Sequence, residues 1–175
     1  GWQRQHHGAS VQAMVEKAVS RVANAPVEVI AAGRTDSGVH ATAQVAHFDS
    51  VAERPLHGWL RGVNSNLPDD IALQWVRPVE PDFHARFSAT GRRYRYVIYT
   101  DPVRPALHRR RVSWTYRPLA VEPMRLAARA LVGEHDFSSF RAVACQARHP
   151  VREVHEIELE RSGNYIYLDV SANAF

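Results

Sequence analysis

One acidic residue stands in a segment whose composition suits an exposed catalytic side chain. Asp36 lies among small and turn-forming residues in segment 31–40, directly after an apolar strand candidate. Arg34 precedes it by two residues, and a nearby guanidinium favours the charged carboxylate, which can act as a nucleophile or base. The same pattern fits an aspartate that caps a turn through backbone amides, so the local sequence leaves both roles open.

The composition of this segment excludes two phosphate-binding motifs and argues against a protease. A phosphate-binding loop needs a Gly-Lys-Ser/Thr run and a dinucleotide-binding turn needs its own glycine spacing, and segment 31–40 has neither.

Asp36-Ser37-Gly38 matches the Asp-Ser/Thr-Gly order of aspartic proteases, which need two such carboxylates. The chain has one copy, so a protease would require a dimer of this chain.

Metal-binding patterns are weak along the chain. There is one cysteine, Cys145, there is no His-Glu-x-x-His motif, and His6 and His7 are adjacent rather than at ligand spacing. The histidines are therefore interpreted as surface or core residues, and no metal site is predicted. A lone cysteine excludes an intramolecular disulfide and fits a reducing compartment, so a cytoplasmic location is expected.

A basic and aromatic segment lies in the second half of the chain. The net charge is +4, but residues 86–117 hold nine arginines and one acid, a net +8, which leaves −4 for the rest. Tyrosines and a tryptophan alternate with these arginines, a composition typical of nucleic-acid surfaces, although a solvated basic strand with core tyrosines fits too. The arginines predicted to bind RNA are Arg86, Arg92, Arg93, Arg95, Arg109, Arg110 and Arg111.

The length of 175 residues and the 45% hydrophobic content indicate a globular protein of one domain or two small ones. No apolar run is long enough to span a membrane, so no membrane association is predicted. Apolar spacing predicts helices over 10–24, 55–63 and 124–132, the last capped by Gly133. Apolar runs and alternation predict strands over 27–32, 42–49, 71–76, 92–100, 154–161 and 165–171, the last two as a hairpin.

A helix followed by strands in each half predicts an α+β fold of two subdomains with antiparallel sheets. Segment 78–81, with a proline at each end, precedes the change from acidic to basic composition. We therefore assign residues 1–80 to an N-terminal subdomain with the Asp36 loop. Residues 81–175 form a C-terminal subdomain with the basic segment.

The sequence resembles the TruA-type tRNA pseudouridine synthases over nearly its whole length. The active-site motif of that family is matched by Ala32-Gly33-Arg34-Thr35-Asp36-Ser37-Gly38-Val39-His40. The other matching segments are 1–5, 44–48, 63–68, 83–89, 93–96, 133–137 and 169–175.

The resemblance implies an enzyme that isomerises uridine to pseudouridine in the anticodon stem-loop of tRNA, at positions 38, 39 and 40. It implies that Asp36 is the catalytic carboxylate, that Arg34 holds the flipped nucleotide and that Tyr94 stacks on the target uracil. No cofactor or metal is expected, because the reaction conserves all atoms. The resemblance also implies a pseudouridine synthase fold, in which the two subdomain sheets join into one larger mixed sheet. It implies tRNA as the partner and a homodimer as the assembly.

The chain departs from the family pattern at both ends. Family members begin with a strand that carries Tyr-Asp-Gly, and they continue beyond Phe175 into a helix with a basic residue that reaches the catalytic acid. The chain is therefore expected to be a fragment that lacks the first strand and the C-terminal part. The alternative function is that of a non-catalytic RNA-binding fragment of such an enzyme.

Overall fold

The computed structural model describes residues 1–5, 9–141 and 149–174, so His6, His7 and Cys145 lie outside the described residues. The chain forms two compact units, residues 1–89 and 90–175. Their helices and strands confirm the predicted α+β class. The strands make a two-stranded sheet in the first unit and a five-stranded mixed sheet in the second, and the joining of both into one sheet stays a prediction. The subdomain limits at residues 80 and 81 also stay a prediction.

The first unit contains two helices, α1 (Val11–Ala23) and α2 (Leu56–Asn64), close to the predicted ranges. Ser10 caps α1, because its Oγ accepts a hydrogen bond from the Ala13 N–H at 3.3 Å. Strands β1 (Ile30–Ala31) and β2 (Ala46–His47) pair antiparallel and are much shorter than predicted. The buried apolar core of this unit consists of Trp2, Val15, Ala18, Val19, Ala23, Val29, Trp59 and Val63.

The predicted strand over 71–76 is wrong. In the described structure this segment is in no sheet, because the side chain of Asn64 occupies the backbone groups of Leu73. The Leu73 N–H donates to Asn64 Oδ1 at 2.8 Å, and Asn64 Nδ2 donates to the Leu73 carbonyl at 2.9 Å. A side-chain amide at the end of α2 thus takes the place of a neighbouring strand.

The second unit is a five-stranded sheet. The predicted long strands are confirmed as β3 (Arg92–Thr100), β6 (Val151–Ser162) and β7 (Tyr165–Ala172), and the last two form the predicted hairpin. Two short strands were not predicted, β4 (Ser113–Thr115) and β5 (Gly133–Asp136). The sheet order is β4-β3-β7-β6-β5, and only the β3–β4 pair is parallel.

Helix α3 (Val121–Arg129) begins three residues earlier than predicted. Pro123 is tolerated there, because the first turn of a helix leaves its N–H groups without intrahelical partners. The predicted cap at Gly133 is also wrong. Ala130 caps the helix, and Gly133 opens β5 with φ +102°. None of the described helices is long and apolar enough to cross a membrane.

Candidate functional site

Asp36 lies in the exposed loop 32–45 that joins β1 to β2. Its backbone carbonyl accepts a hydrogen bond from the Val39 N–H at 3.2 Å, which closes a turn. Gly38 within that turn has φ +84°, a conformation that favours glycine. Within the described residues, no hydrogen bond or ion pair engages the Asp36 carboxylate. The structure therefore presents an exposed carboxylate whose oxygen atoms are available to a ligand.

The backbone around Asp36 is fixed by contacts with residues outside the turn. The Trp2 N–H donates to the Thr35 carbonyl at 3.0 Å, and Trp2 itself is buried in the core. A Cβ at Gly1 would lie 3.0 Å from the same carbonyl, so the two backbones are in close contact. On the other side, Gln44 Nε2 donates to the Gly33 carbonyl at 2.7 Å. The exposed carboxylate is thus carried by a backbone that is anchored on both sides.

Arg34 is exposed on the same loop as Asp36. The two side chains make no ion pair in the part of the chain that the structure describes. The structure therefore brings both predicted residues to one loop without bonding them to each other. The predicted role of Arg34 in holding a nucleotide stays a prediction.

Tyr94 lies on β3 of the second unit, opposite Val170 of β7, and is 37% exposed. Arg93 and Arg95 flank it, and alternation along the strand places both guanidinium groups on the other face of the sheet. Arg92 donates from its NH1 atom to the Asn173 carbonyl at 3.0 Å. The strand therefore separates the tyrosine from the charged face of the sheet.

One predicted RNA-binding residue is engaged in an ion pair that was not predicted from the sequence. Arg95 Nε donates to Asp169 Oδ1 at 3.0 Å and Arg95 NH2 donates to Oδ2 at 2.7 Å. Arg93 adds contacts to Asp169 at 3.8 Å and to Glu158 at 3.6 Å. The hydrogen bonds from Arg95 lower the pKa of the Asp169 carboxyl and in return raise the pKa of Arg95. A lone acid in the otherwise apolar strand 165–170 was the available signal.

Arg109, Arg110 and Arg111 form an exposed turn in the second unit. Arg110 has φ +67°, and the Arg111 N–H donates to the His108 carbonyl at 3.0 Å. No ion pair within the described residues engages any of the three guanidinium groups. Arg86 lies in the first unit, where its Cζ atom is 5.8 Å from the centroid of the Phe87 ring. Among the seven arginines predicted to bind RNA, these four make no ion pair within the described residues, so their charge is open to an anion.

Within the described residues, no group of three or more histidine, cysteine or acidic side chains is placed so that it could hold a metal ion. The absence of a metal centre stays a prediction, as does the absence of a cofactor.

Comparison with known protein families gives a clear match. A family model described as tRNA pseudouridine synthase matches residues 1–88 and 127–175. The first block includes the Asp36 loop, and the second includes strands β6 and β7.

Curated relatives align with the whole chain. A tRNA pseudouridine synthase A from Pseudomonas aeruginosa is 56% identical over 176 residues, which cover 100% of this chain and 62% of the relative. Proteins of the same name from Idiomarina loihiensis and Coxiella burnetii (strain Dugway 5J108-111) are 57% and 54% identical, over 100% of this chain and 67% of each relative. The chain thus spans about two thirds of the length of these relatives.

Proposed function

This chain belongs to the tRNA pseudouridine synthase family, and on that premise we propose that the protein carrying it isomerises uridine to pseudouridine in tRNA. The reaction breaks the N-glycosidic bond, turns the uracil and forms a carbon–carbon bond in its place. Because all atoms are conserved, the proposal requires no cofactor and no metal. The observation that carries it is the exposed Asp36 carboxylate on an anchored loop, inside a block that the family model matches.

Asp36 is the catalytic carboxylate in this proposal. Its oxygen atoms have no partner within the described residues, and the hydrogen bonds of Trp2 and Gln44 fix the backbone that carries it. Such a group can attack the ribose or the uracil, or abstract a ribose proton. Anchoring the loop reduces the entropy lost when the carboxylate meets the nucleotide.

The target uridine has to leave the stack before Asp36 can reach it. Extruding a base costs a few kcal/mol, which contacts to the flipped nucleotide offset in part. We assign these contacts to Tyr94, which stacks on the uracil, and to Arg34, which holds the nucleotide. Tyr94 is 37% exposed, and Arg34 is exposed and makes no ion pair within the described residues, which is compatible with these roles.

Binding of tRNA depends on phosphate contacts in this proposal. Among the seven predicted arginines, the exposed Arg109–Arg111 turn and Arg86 support the assignment best, because no ion pair within the described residues occupies them. The substrate is the anticodon arm of tRNA, with uridines 38, 39 and 40 as targets. Homodimeric assembly and a cytoplasmic location complete the proposal.

Pseudouridine formation tests the proposal directly. The full-length protein and its Asp36→Asn variant are incubated with unmodified tRNA, and the digested nucleosides are separated by chromatography because the isomers have equal mass. We expect Asp36→Asn to lower the rate at least about 10²-fold while tRNA affinity stays nearly unchanged. The matched control is Asp70→Asn, which removes another exposed carboxylate of the same unit and should retain activity.

Three results would contradict the proposal. Full activity of Asp36→Asn would exclude Asp36 as the catalytic group. Tight tRNA binding without product from the full-length protein would favour the alternative, a non-catalytic RNA-binding protein. Loss of affinity together with activity would indicate that Asp36 is structural.

A further inference from the structure

A cluster of two rings and one guanidinium lies on the surface of the first unit. Phe87 is 78% exposed, unlike most residues of its size and apolar character. The ring of His84 stacks on it with centroids 4.2 Å apart and planes at 25°, and the Arg86 Cζ atom is 5.8 Å from its centroid. Neither His84 nor Phe87 has a part in the proposed reaction.

Hydrogen bonds hold this cluster in a defined conformation. His47 Nδ1 on β2 accepts from the Ala85 N–H at 3.1 Å, and the His47 ring contacts the His84 ring edge-on at 4.8 Å. His84 Nδ1 accepts from the Phe87 N–H at 3.2 Å, and its carbonyl accepts from the Ser88 N–H at 2.7 Å. Ala85 is 2% exposed. The turn is therefore anchored through Ala85, and the Phe87 ring is presented to solvent in a pre-organised state.

We propose that Phe87 is a stacking platform for an unpaired base of bound RNA, and that Arg86 binds a phosphate beside that base. A ring accepts any base through its π-face, and a guanidinium beside it supplies the charge that a phosphate needs. Arg86 makes no ion pair within the described residues, so its charge is available. The arginine at the ring favours a polyanion over an apolar peptide. The inference rests on the proposed function, because it takes tRNA as the bound molecule.

The test compares side chains at residue 87 in the full-length protein, with unmodified tRNA as the probe at fixed salt. Stacking on an aromatic side chain is worth about 1–3 kcal/mol per base, so Phe87→Ala and Phe87→Leu should weaken the affinity about 5- to 150-fold. Phe87→Trp should retain it. The control is Val51→Ala, which truncates an apolar side chain of the same unit that is 99% exposed. The Leu and Trp variants both keep a large apolar side chain. Their affinities can therefore still be compared if Phe87→Ala lowers the stability of the protein.

Two further measurements separate the ring from the charge and identify the base. Arg86→Ala should lower the slope of log affinity against log salt by about 0.7–0.9, whereas Phe87→Ala should leave the slope unchanged. In tRNAs with 2-aminopurine at single anticodon-loop positions, the wild type should quench the fluorescence at one position. At saturating concentration, Phe87→Ala should not quench it.

Several results would overturn the inference. Equal affinity of Phe87→Ala and wild type would show that no base stacks there, and full affinity of Phe87→Leu would show that the ring is not needed. A changed sedimentation coefficient of Phe87→Ala would identify the cluster as an interface between copies of the chain. The pseudouridine assay keeps the two proposals apart. Affinity that depends on Phe87 without product defeats the proposed function alone, whereas product with affinity independent of Phe87 defeats this inference alone.

Discussion

At the scale of single residues, the predicted RNA-binding arginines differ in what surrounds their guanidinium groups. Arg95 is bound bidentately by Asp169 and lies 5.3 Å from the Tyr167 ring centroid, so its charge is already compensated. Arg110 has no ion pair within the described residues and is exposed in a turn. The same residue type therefore serves the fold at one position and is open to a ligand at the other.

Substitution separates these two arginines. Arg110→Ala should weaken tRNA binding and lower the salt slope by about 0.7–0.9, because one phosphate contact and its counterion are lost. Its melting temperature should stay close to that of the wild type. Arg95→Ala should lower the melting temperature instead, since it leaves the Asp169 carboxylate without its main partner. Melting curves and binding isotherms at four salt concentrations measure both effects. An unchanged salt slope for Arg110→Ala would argue against a phosphate contact.

The Asp36 turn could be predicted from the sequence, whereas the Arg95–Asp169 ion pair could not. The difference lies in how far apart the interacting residues are along the chain. The turn that carries Asp36 is local, because its Gly38 lies two residues further along, whereas the anchoring of that turn by Trp2 and Gln44 was not predicted. The pair of Arg95 and Asp169 depends on the register of two strands whose members are 74 residues apart. No local pattern shows that register. The pairing of buried Asp169 with Arg95 became evident only when the strands were placed side by side.

At the scale of elements, the β3–β7 pair places a carboxylate that couples stability to pH. The Asp169 side chain is 11% exposed, and Arg95 lowers its pKa below the ordinary value of 3.8. A lowered folded-state pKa stabilises the protein above the ordinary value, and this contribution is lost as the pH falls below 3.8 through the folded-state pKa. Asp169 therefore contributes fully at neutral pH and loses its contribution in acid.

Replacement of this carboxylate tests the coupling. Asp169→Asn should reduce the free energy of unfolding by about 1–3 kcal/mol at neutral pH, because a charged hydrogen bond at a buried site is lost. The difference from the wild type should shrink as the pH falls below about 4. Urea unfolding from pH 7 down to pH 3 measures it. Glu122→Gln, which removes the exposed partner of Arg125, should have a much smaller effect. A pH-independent difference would contradict the ionic role of Asp169.

Helices and strands with a clear apolar pattern could be predicted from the sequence. Short strands that form only by pairing with residues distant in the sequence could not. Strands β3 and β6 have alternating stretches, β7 has a continuous apolar run, and α1 has a serine cap and a regular apolar stripe. Strand β5 is only Gly133–Asp136, and it forms because its backbone pairs with β6. Segment 71–76 has the composition of a strand, but the Asn64 side chain satisfies Leu73 instead. Tertiary partners thus outweigh local propensity in the short elements.

At the scale of the whole molecule, the salt dependence of tRNA binding counts the arginines that meet phosphates. Four predicted arginines have no ion pair in the described residues, namely Arg86, Arg109, Arg110 and Arg111. Each phosphate contact contributes about 0.7–0.9 to the salt slope, so these four together account for a slope of about 3. All seven would account for about 5 to 6. When the salt concentration is raised fourfold, seven phosphate contacts should reduce the affinity by over tenfold more than four contacts do.

The test replaces those four arginines with alanine in the full-length protein and compares the salt slope of this variant with that of the wild type. The difference gives the contribution of the four arginines to the slope, separate from that of residues outside this chain. We expect the two salt slopes to differ by about 3, which corresponds to about a 10²-fold difference in sensitivity between 50 and 200 mM salt. The matched control replaces Arg54, Arg61, Arg77 and Arg129, which are exposed, have no ion pair within the described residues and lie outside the predicted set, and it should leave the slope unchanged. A slope difference near zero would mean that phosphates are met elsewhere. A difference well above the expected one would mean that the substitutions disturb the fold, because four charges cannot release more counterions than the contacts they make.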